Sequence, residues 1–172
     1  MQNLYSHAPY IFSKHLRNLV GILGKTKEFM KENNISDAEM LEKRIAPDMF
    51  PFVRQIQIVS DAAKGTIARM AGIEAPSMPD TEATIDECIA RIEKTILFID
   101  SIDTEKLSQA DEHNVVLPYL LGKHQTMIDY VLDMAIPNFF FHFTTAYNIA
   151  RGAGVELGKM DYIGSLKLHD LT

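Results

Sequence analysis

The chain has 172 residues, 47% hydrophobic and 23% charged, which is enough to bury a core without disulfide or metal staples. Its formal charge of −6 excludes the cationic footprint that would neutralise nucleic-acid phosphates or bind an anionic membrane surface. The single cysteine excludes an intrachain disulfide and a four-cysteine zinc site.

The opening stretch MQNLYSHAPY has no basic start followed by an apolar run, so no secretion signal is expected. No apolar run anywhere approaches the ~20 residues that span a bilayer. A cytoplasmic protein is therefore expected. The first long amphipathic segment runs from about Tyr5 to Lys31, with Phe12, Leu16, Leu19, Val20, Leu23 and Met30 at three-and-four spacing. Asn33–Asn34 closes it. A short helical connector follows, with Ser36 as N-cap and Glu39 three residues on, the pattern of a capping box.

The second segment runs from about Pro47 to Ala71 and ends at Gly72. Met49, Phe52, Val53, Ile56, Val59, Ala63, Ile67 and Met70 form its stripe. Pro47 and Pro51 fall in its first turns, where a missing amide donor costs least. The third segment begins after the breaker-rich IEAPSMPD, with Asp80 or Thr81 as N-cap and a stripe of Ile85, Cys88, Ile89, Ile92, Ile96 and Ile99. Cys88 thus reads as inert core.

Next, NVVLPYLLGKHQTMID offers Val115 to Leu121 as a strand, with Gly122–Lys123 turning into a partner strand. Pro118 interrupts that pattern. The fourth segment runs from about Val131 to Gly152, with Gly154 as its closing residue. Pro137 lies inside it, so the helix either kinks there or starts there. The tail after Gly154 has no period long enough for a helix. Four amphipathic helices predict an all-α four-helix bundle spanning residues 1–172 as one domain, with a small β-hairpin between the third and fourth helices.

Bundles build sites from polar side chains that project inward from facing helices. At ~100° per residue, Val131, Ala135, Ala146, Ile149 and Ala153 fall within ~40° of His142 on the fourth helix. Asn138 and Thr145 flank the same arc, so His142 points inward. On the second helix, Gln55 and Thr66 share the arc of Phe52, Ile56, Val59, Ala63 and Met70, with Asp48 two turns before Gln55. Asp61 falls opposite and is expected to be solvated. The inward polar set is then Asp48, Gln55, Thr66, Asn138, His142 and Thr145. An acid/base group in a pocket and a closed structural network of hydrogen bonds both remain open for His142. Phosphate-binding and dinucleotide-binding glycine motifs are absent, as are HxxH, HxxxH and HExxH pairs.

The stretches RIAPDMFPFVRQIQIVSDAAK (44–64), PNFFFHFTTAYNIARGAGV (137–155) and GKMDYIG (158–164) closely resemble the DUF1993 family, grouped with the DinB/YfiT-like putative metalloenzymes. The resemblance covers nearly the whole chain. It implies a DinB-like four-helix bundle and a homodimer. Active members of that superfamily include metal-dependent enzymes that use low-molecular-weight thiols. The superfamily holds a divalent metal with one histidine from its second helix and an HxxxH pair on its fourth. His142, with Arg151 and Gly154 nine and twelve residues on, matches the second histidine of that pair.

By the same resemblance, Asn138 takes the place of the first histidine and Gln55 that of the second-helix histidine. One imidazole with two amides is a weak donor set for zinc or nickel, so no tightly bound metal is expected. Any metal site would draw on His142 with Asn138, Gln55 and Asp48. The sequence names no cofactor. Three functions are consistent with it: a small-molecule pocket around His142, a dimeric structural or interaction module, and a weakly metal-dependent thiol transferase or isomerase.

Overall fold

The structure, a computed structural model, describes residues 2–117 and 121–169. Helix α1 (Gln2–Asn33) carries the first apolar stripe, and Phe12, Leu16, Leu19 and Leu23 on it are fully buried. Asn34 closes the helix with a left-handed backbone, φ 54°, which asparagine tolerates better than most side chains. In α2 (Asp37–Leu41), the Ser36 hydroxyl accepts the Glu39 amide at 3.3 Å, which is the N-cap half of the expected box.

Helix α3 (Phe52–Met70) starts five residues later than the proline positions suggested. Pro47 lies outside the helix and Pro51 is its N-cap, whose carbonyl accepts the Gln55 amide; residues 43–50 form an irregular loop, and the Phe52 amide returns to the Lys43 carbonyl at 2.8 Å. Two prolines in five residues restrict the residue before each of them away from the α region, which delays the helix to Phe52. Asp48 is consequently an exposed turn residue and not a member of the helical arc.

Helix α4 (Ile85–Asp100) is capped by Thr84 and Glu87 in a reciprocal box, not by Asp80 or Thr81. Asp80 is engaged elsewhere, in ion pairs with Arg54 and Arg91. Of the expected α4 stripe, Ile85, Cys88, Ile92, Ile96 and Ile99 are buried and Ile89 is partly buried. Asp61 is not simply solvated: its carboxylate pairs with both Lys64 and Arg91 at 2.8 Å.

A short helix α5 (Thr104–Leu107) leads to a two-stranded antiparallel hairpin, β1 (Asn114–Val115) and β2 (Gln125–Thr126). The strands are shorter than the sequence suggested; Pro118, Tyr119 and Leu120 of the proposed strand lie outside the described residues. Helix α6 (Met127–Asp129) runs directly into a π-helical turn at Tyr130–Ala135 and on into α7 (Ile136–Gly152). Helical backbone precedes Pro137 without a break, so of the two alternatives a start at that residue is not what is found. Proline has no amide to give the carbonyl four residues back, and the widened turn before it absorbs the missing bond. Gly154, at φ 111°, closes α7. The tail does form one short helix, α8 (Lys159–Ile163), where the Asp161 carboxylate accepts the Gly158 amide at 2.7 Å; five residues are too few to leave a period.

Helix α1 packs along α4, and α3 lies between α4 and α7, giving an all-α bundle with one small hairpin. Phe12 of α1 and Phe139 of α7 meet edge to face at 5.0 Å in the core. Among the described residues no helix is long and apolar enough to cross a membrane.

Candidate functional site

Helices α3 and α7 bring Gln55 and His142 together. The Gln55 Oε1 lies 2.6 Å from the His142 Nδ1. Gln55 is 1% exposed and His142 9%, so their bond is made largely out of water. The amide orientation is dictated by a third group: the Gln55 Nε2 donates to the Phe50 carbonyl at 2.9 Å. A carbonyl only accepts, so the amide nitrogen must face Phe50 and the amide oxygen must face the imidazole. Nδ1 therefore carries the proton, and the neutral ring presents a lone pair at Nε2.

Nε2 has no protein partner among the described residues, yet it is not a sealed buried atom. Burial, followed by the positive charge of Arg54, lowers the pKa of His142 below that of free imidazole. The ring is thus neutral at pH 7, with an open acceptor and proton-accepting atom. One aromatic ring stands beside it, Phe141, which meets His142 edge to face at 5.1 Å; the Phe50 ring instead lies 6.0 Å from the Arg54 guanidinium. Both phenylalanines are more than half exposed.

The other members of the expected inward set fall differently. Asn138, one turn before His142, is half-buried and makes no hydrogen bond among the described residues. Thr145 is buried and bonds its own helix at the Phe141 carbonyl, 2.7 Å. Thr66 is fully buried three turns along α3; it bonds the Ala62 carbonyl and the Tyr130 hydroxyl, which also accepts from Arg69 at 3.2 Å. It belongs to that cluster and not to the His142 neighbourhood. Asp48 is exposed and bonds none of these residues.

The divalent metal implied by the resemblance requires its donors to converge on one point. Gln55 Oε1 and His142 Nδ1 are hydrogen-bonded to each other at 2.6 Å, so in this arrangement neither atom is left open toward an ion. Among the described residues no group of three or more His, Cys, Asp or Glu side chains is placed to hold a metal. Cys88 offers no alternative, since it is buried with its thiol pushed up to about 12 by desolvation and nearby carboxylates, Glu82 first.

Arg54, Phe50 and Phe141 were not in the expected set. Arg54 was findable: a cation in the first turn of a helix opposes the macrodipole, and such a placement calls for a specific reason. The exposure of Phe50 and Phe141 had no such signal, because phenylalanines 139, 140, 141 and 143 cover several faces of one helix.

The family model described as "Domain of unknown function (DUF1993)" matches residues 4–163. No curated protein matches the chain. The chain is similar to a crystal structure of a DinB family member protein from Shewanella denitrificans, with 34% identity and a TM-score of 0.93. That match covers 99% of this chain and 97% of the other. The continuous match over residues 4–163 and a bundle superposable along its whole length place this chain in the DUF1993 family, within the DinB-like superfamily.

Proposed function

We propose that this DinB-like protein binds a small molecule in a pocket beside His142, with the Nε2 atom acting as hydrogen-bond acceptor or general base. One observation carries the reading: the relay Phe50 carbonyl–Gln55 amide–His142 Nδ1 holds the imidazole in the tautomer with Nε2 open. In a closed structural network both ring nitrogens would be bonded to protein groups. Here one is engaged and the other has no partner among the described residues, and the amide of Asn138, one turn earlier on α7, is also uncommitted among them. Gln55 acts on this view as the group that orients the base, the role a carboxylate or carbonyl plays behind other catalytic histidines.

In ¹⁵N-labelled protein, long-range ¹H–¹⁵N spectra at neutral pH should show His142 as the Nδ1–H tautomer. A fragment screen should give binders that move its ring signals and are lost in His142→Ala and Gln55→Ala. Binding that survives both substitutions, or an Nε2–H ring, would overturn the reading. The expectation of a metal-dependent thiol transferase needs three convergent donors, and the direction of Gln55 Oε1 opposes it.

A second reading, a homodimeric interaction module, is favoured by the exposed Phe50 and Phe141 rings, at 55% and 57%. Light scattering on a sizing column would then give twice the chain mass of 19.4 kDa, and Phe141→Glu would shift it toward the monomer. A wild-type monomer at high concentration removes this reading.

A further inference from the structure

We infer that the ligand of this site is an organic anion, a carboxylate attached to an apolar or aromatic body, gripped by Arg54. The inference rests on the pocket proposed above and adds the chemical class of its occupant. Arg54 stands in the first turn of α3, next to Gln55, and its side chain is 37% exposed. Its contacts are one-sided. Nη1 donates to Gln57 Oε1 at 3.1 Å and also pairs with Asp80. Nε and Nη2 have no partner among the described residues.

Those two atoms form the side-on fork that matches the two oxygens of a carboxylate. Asp80 does not fully occupy the arginine, because its other oxygen is 3.0 Å from Arg91. The surroundings suit an anion as well. Helix α3 begins at Phe52 with no side-chain cap and no acidic residue in its first turn, and of the amides left open at its start only that of Phe52 is taken among the described residues, by the Lys43 carbonyl. The exposed Phe50 ring under the guanidinium and the Phe141 ring beside His142 supply apolar surface for the rest of the ligand. Neutral His142 Nε2 would face a hydrogen-bond donor or an acidic proton on that body, not the carboxylate itself.

The test uses phenylacetate as probe and phenylacetamide as its neutral counterpart, at constant ionic strength. Binding is followed by the His142 ring signals and by calorimetry in wild type, Arg54→Gln, Arg54→Lys and His142→Ala. Phenylacetate should give a saturable shift and bind about tenfold or more tightly than the amide, the factor expected for one lost charge-assisted pair. Arg54→Gln should abolish that preference, and Arg54→Lys should restore only part of it, since an ammonium lacks the fork. Thermal midpoints of the variants check that each is folded. If both probes bind alike in wild type and in Arg54→Gln, but not in His142→Ala, the anion inference is wrong and the pocket stands. No saturable shift with phenylacetate also overturns the inference, and the wider fragment screen then decides the pocket separately.

Discussion

Arg91→Met should lower the unfolding free energy by about 3 kcal/mol and the thermal midpoint by roughly 6–12 °C. Arg91 is 3% exposed in the middle of α4. It donates to the Pro79 carbonyl at 3.1 Å, Glu82 at 3.0 Å and Asp61 at 2.8 Å, and pairs with Asp80. These contacts tie the irregular stretch 72–84 down onto α3 and α4. Removing the cation strands carboxylates that are not equivalent. The Asp61 and Asp80 side chains are 40% and 38% exposed and can be resolvated, whereas Glu82 is 10% exposed and cannot. That asymmetry puts the cost at the low end of the range for breaking a buried pair. Adding Glu82→Gln to Arg91→Met should recover about 1 kcal/mol or more, because it removes the stranded charge. Urea unfolding of the two variants measures both numbers, and a loss under about 1 kcal/mol in the single variant would refute the assignment.

The same cluster carries an acid sensitivity with a definite sign. Burial alone would raise the pKa of Glu82, but hydrogen bonds from Gln57 and Arg91 outweigh it and leave the value lowered. Its contribution is present above the unfolded carboxylate range and is lost as pH falls through the folded pKa. In Arg91→Met the main counter-ion is gone, burial prevails, and that pH dependence should diminish or invert.

Four apolar stripes at helical spacing made the bundle legible, and those stripes are what α1, α3, α4 and α7 bury. The errors lie where one residue type serves two purposes. Pro47 and Pro51 suit a helix start and a loop equally; the return of the Phe52 amide to Lys43, a tertiary event, decides for the loop at Pro47 and carries Asp48 out of the helix. Asp80 has the chemistry of an N-cap but spends its carboxylate on two arginines, leaving the cap to Thr84. At the site, helical angles brought Gln55 and His142 to one side, and the structure joins them. Angles could not show which atom of Gln55 faces the ring. That depends on the Phe50 carbonyl, a backbone group whose direction no side-chain pattern encodes. Arg91 was legible in principle: it lies between Cys88 and Ile92 at the edge of an apolar stripe, where an unpaired charge would be untenable.

Gln55→Glu should reverse the sign of the pH dependence that His142 contributes. In the wild type burial and Arg54 hold the folded pKa of His142 below its ordinary value near 6.5. Between those two values the unfolded chain binds a proton that the folded chain refuses, so stability falls as pH drops through the window. A carboxylate at position 55 would face the Nδ1 proton from the place now held by Oε1, 2.6 Å away. It favours the imidazolium and lifts the folded pKa above the unfolded one. The folded chain then binds the extra proton, and this contribution is full below about pH 6.5 and is lost as pH rises through the new value. The variant forfeits the bond that the Gln55 Nε2 donates to the Phe50 carbonyl, which costs about 1–2 kcal/mol at every pH. That loss is an offset and leaves the slope untouched. His15, whose pKa burial also lowers, contributes equally to both chains and cancels in their difference. Unfolding free energies from pH 5 to 8, variant minus wild type, should therefore fall steadily as pH rises, with His142 ring signals titrating later in the variant. A flat difference would mean that position 55 does not govern the protonation of His142, and the proposed base would lose the group that orients it.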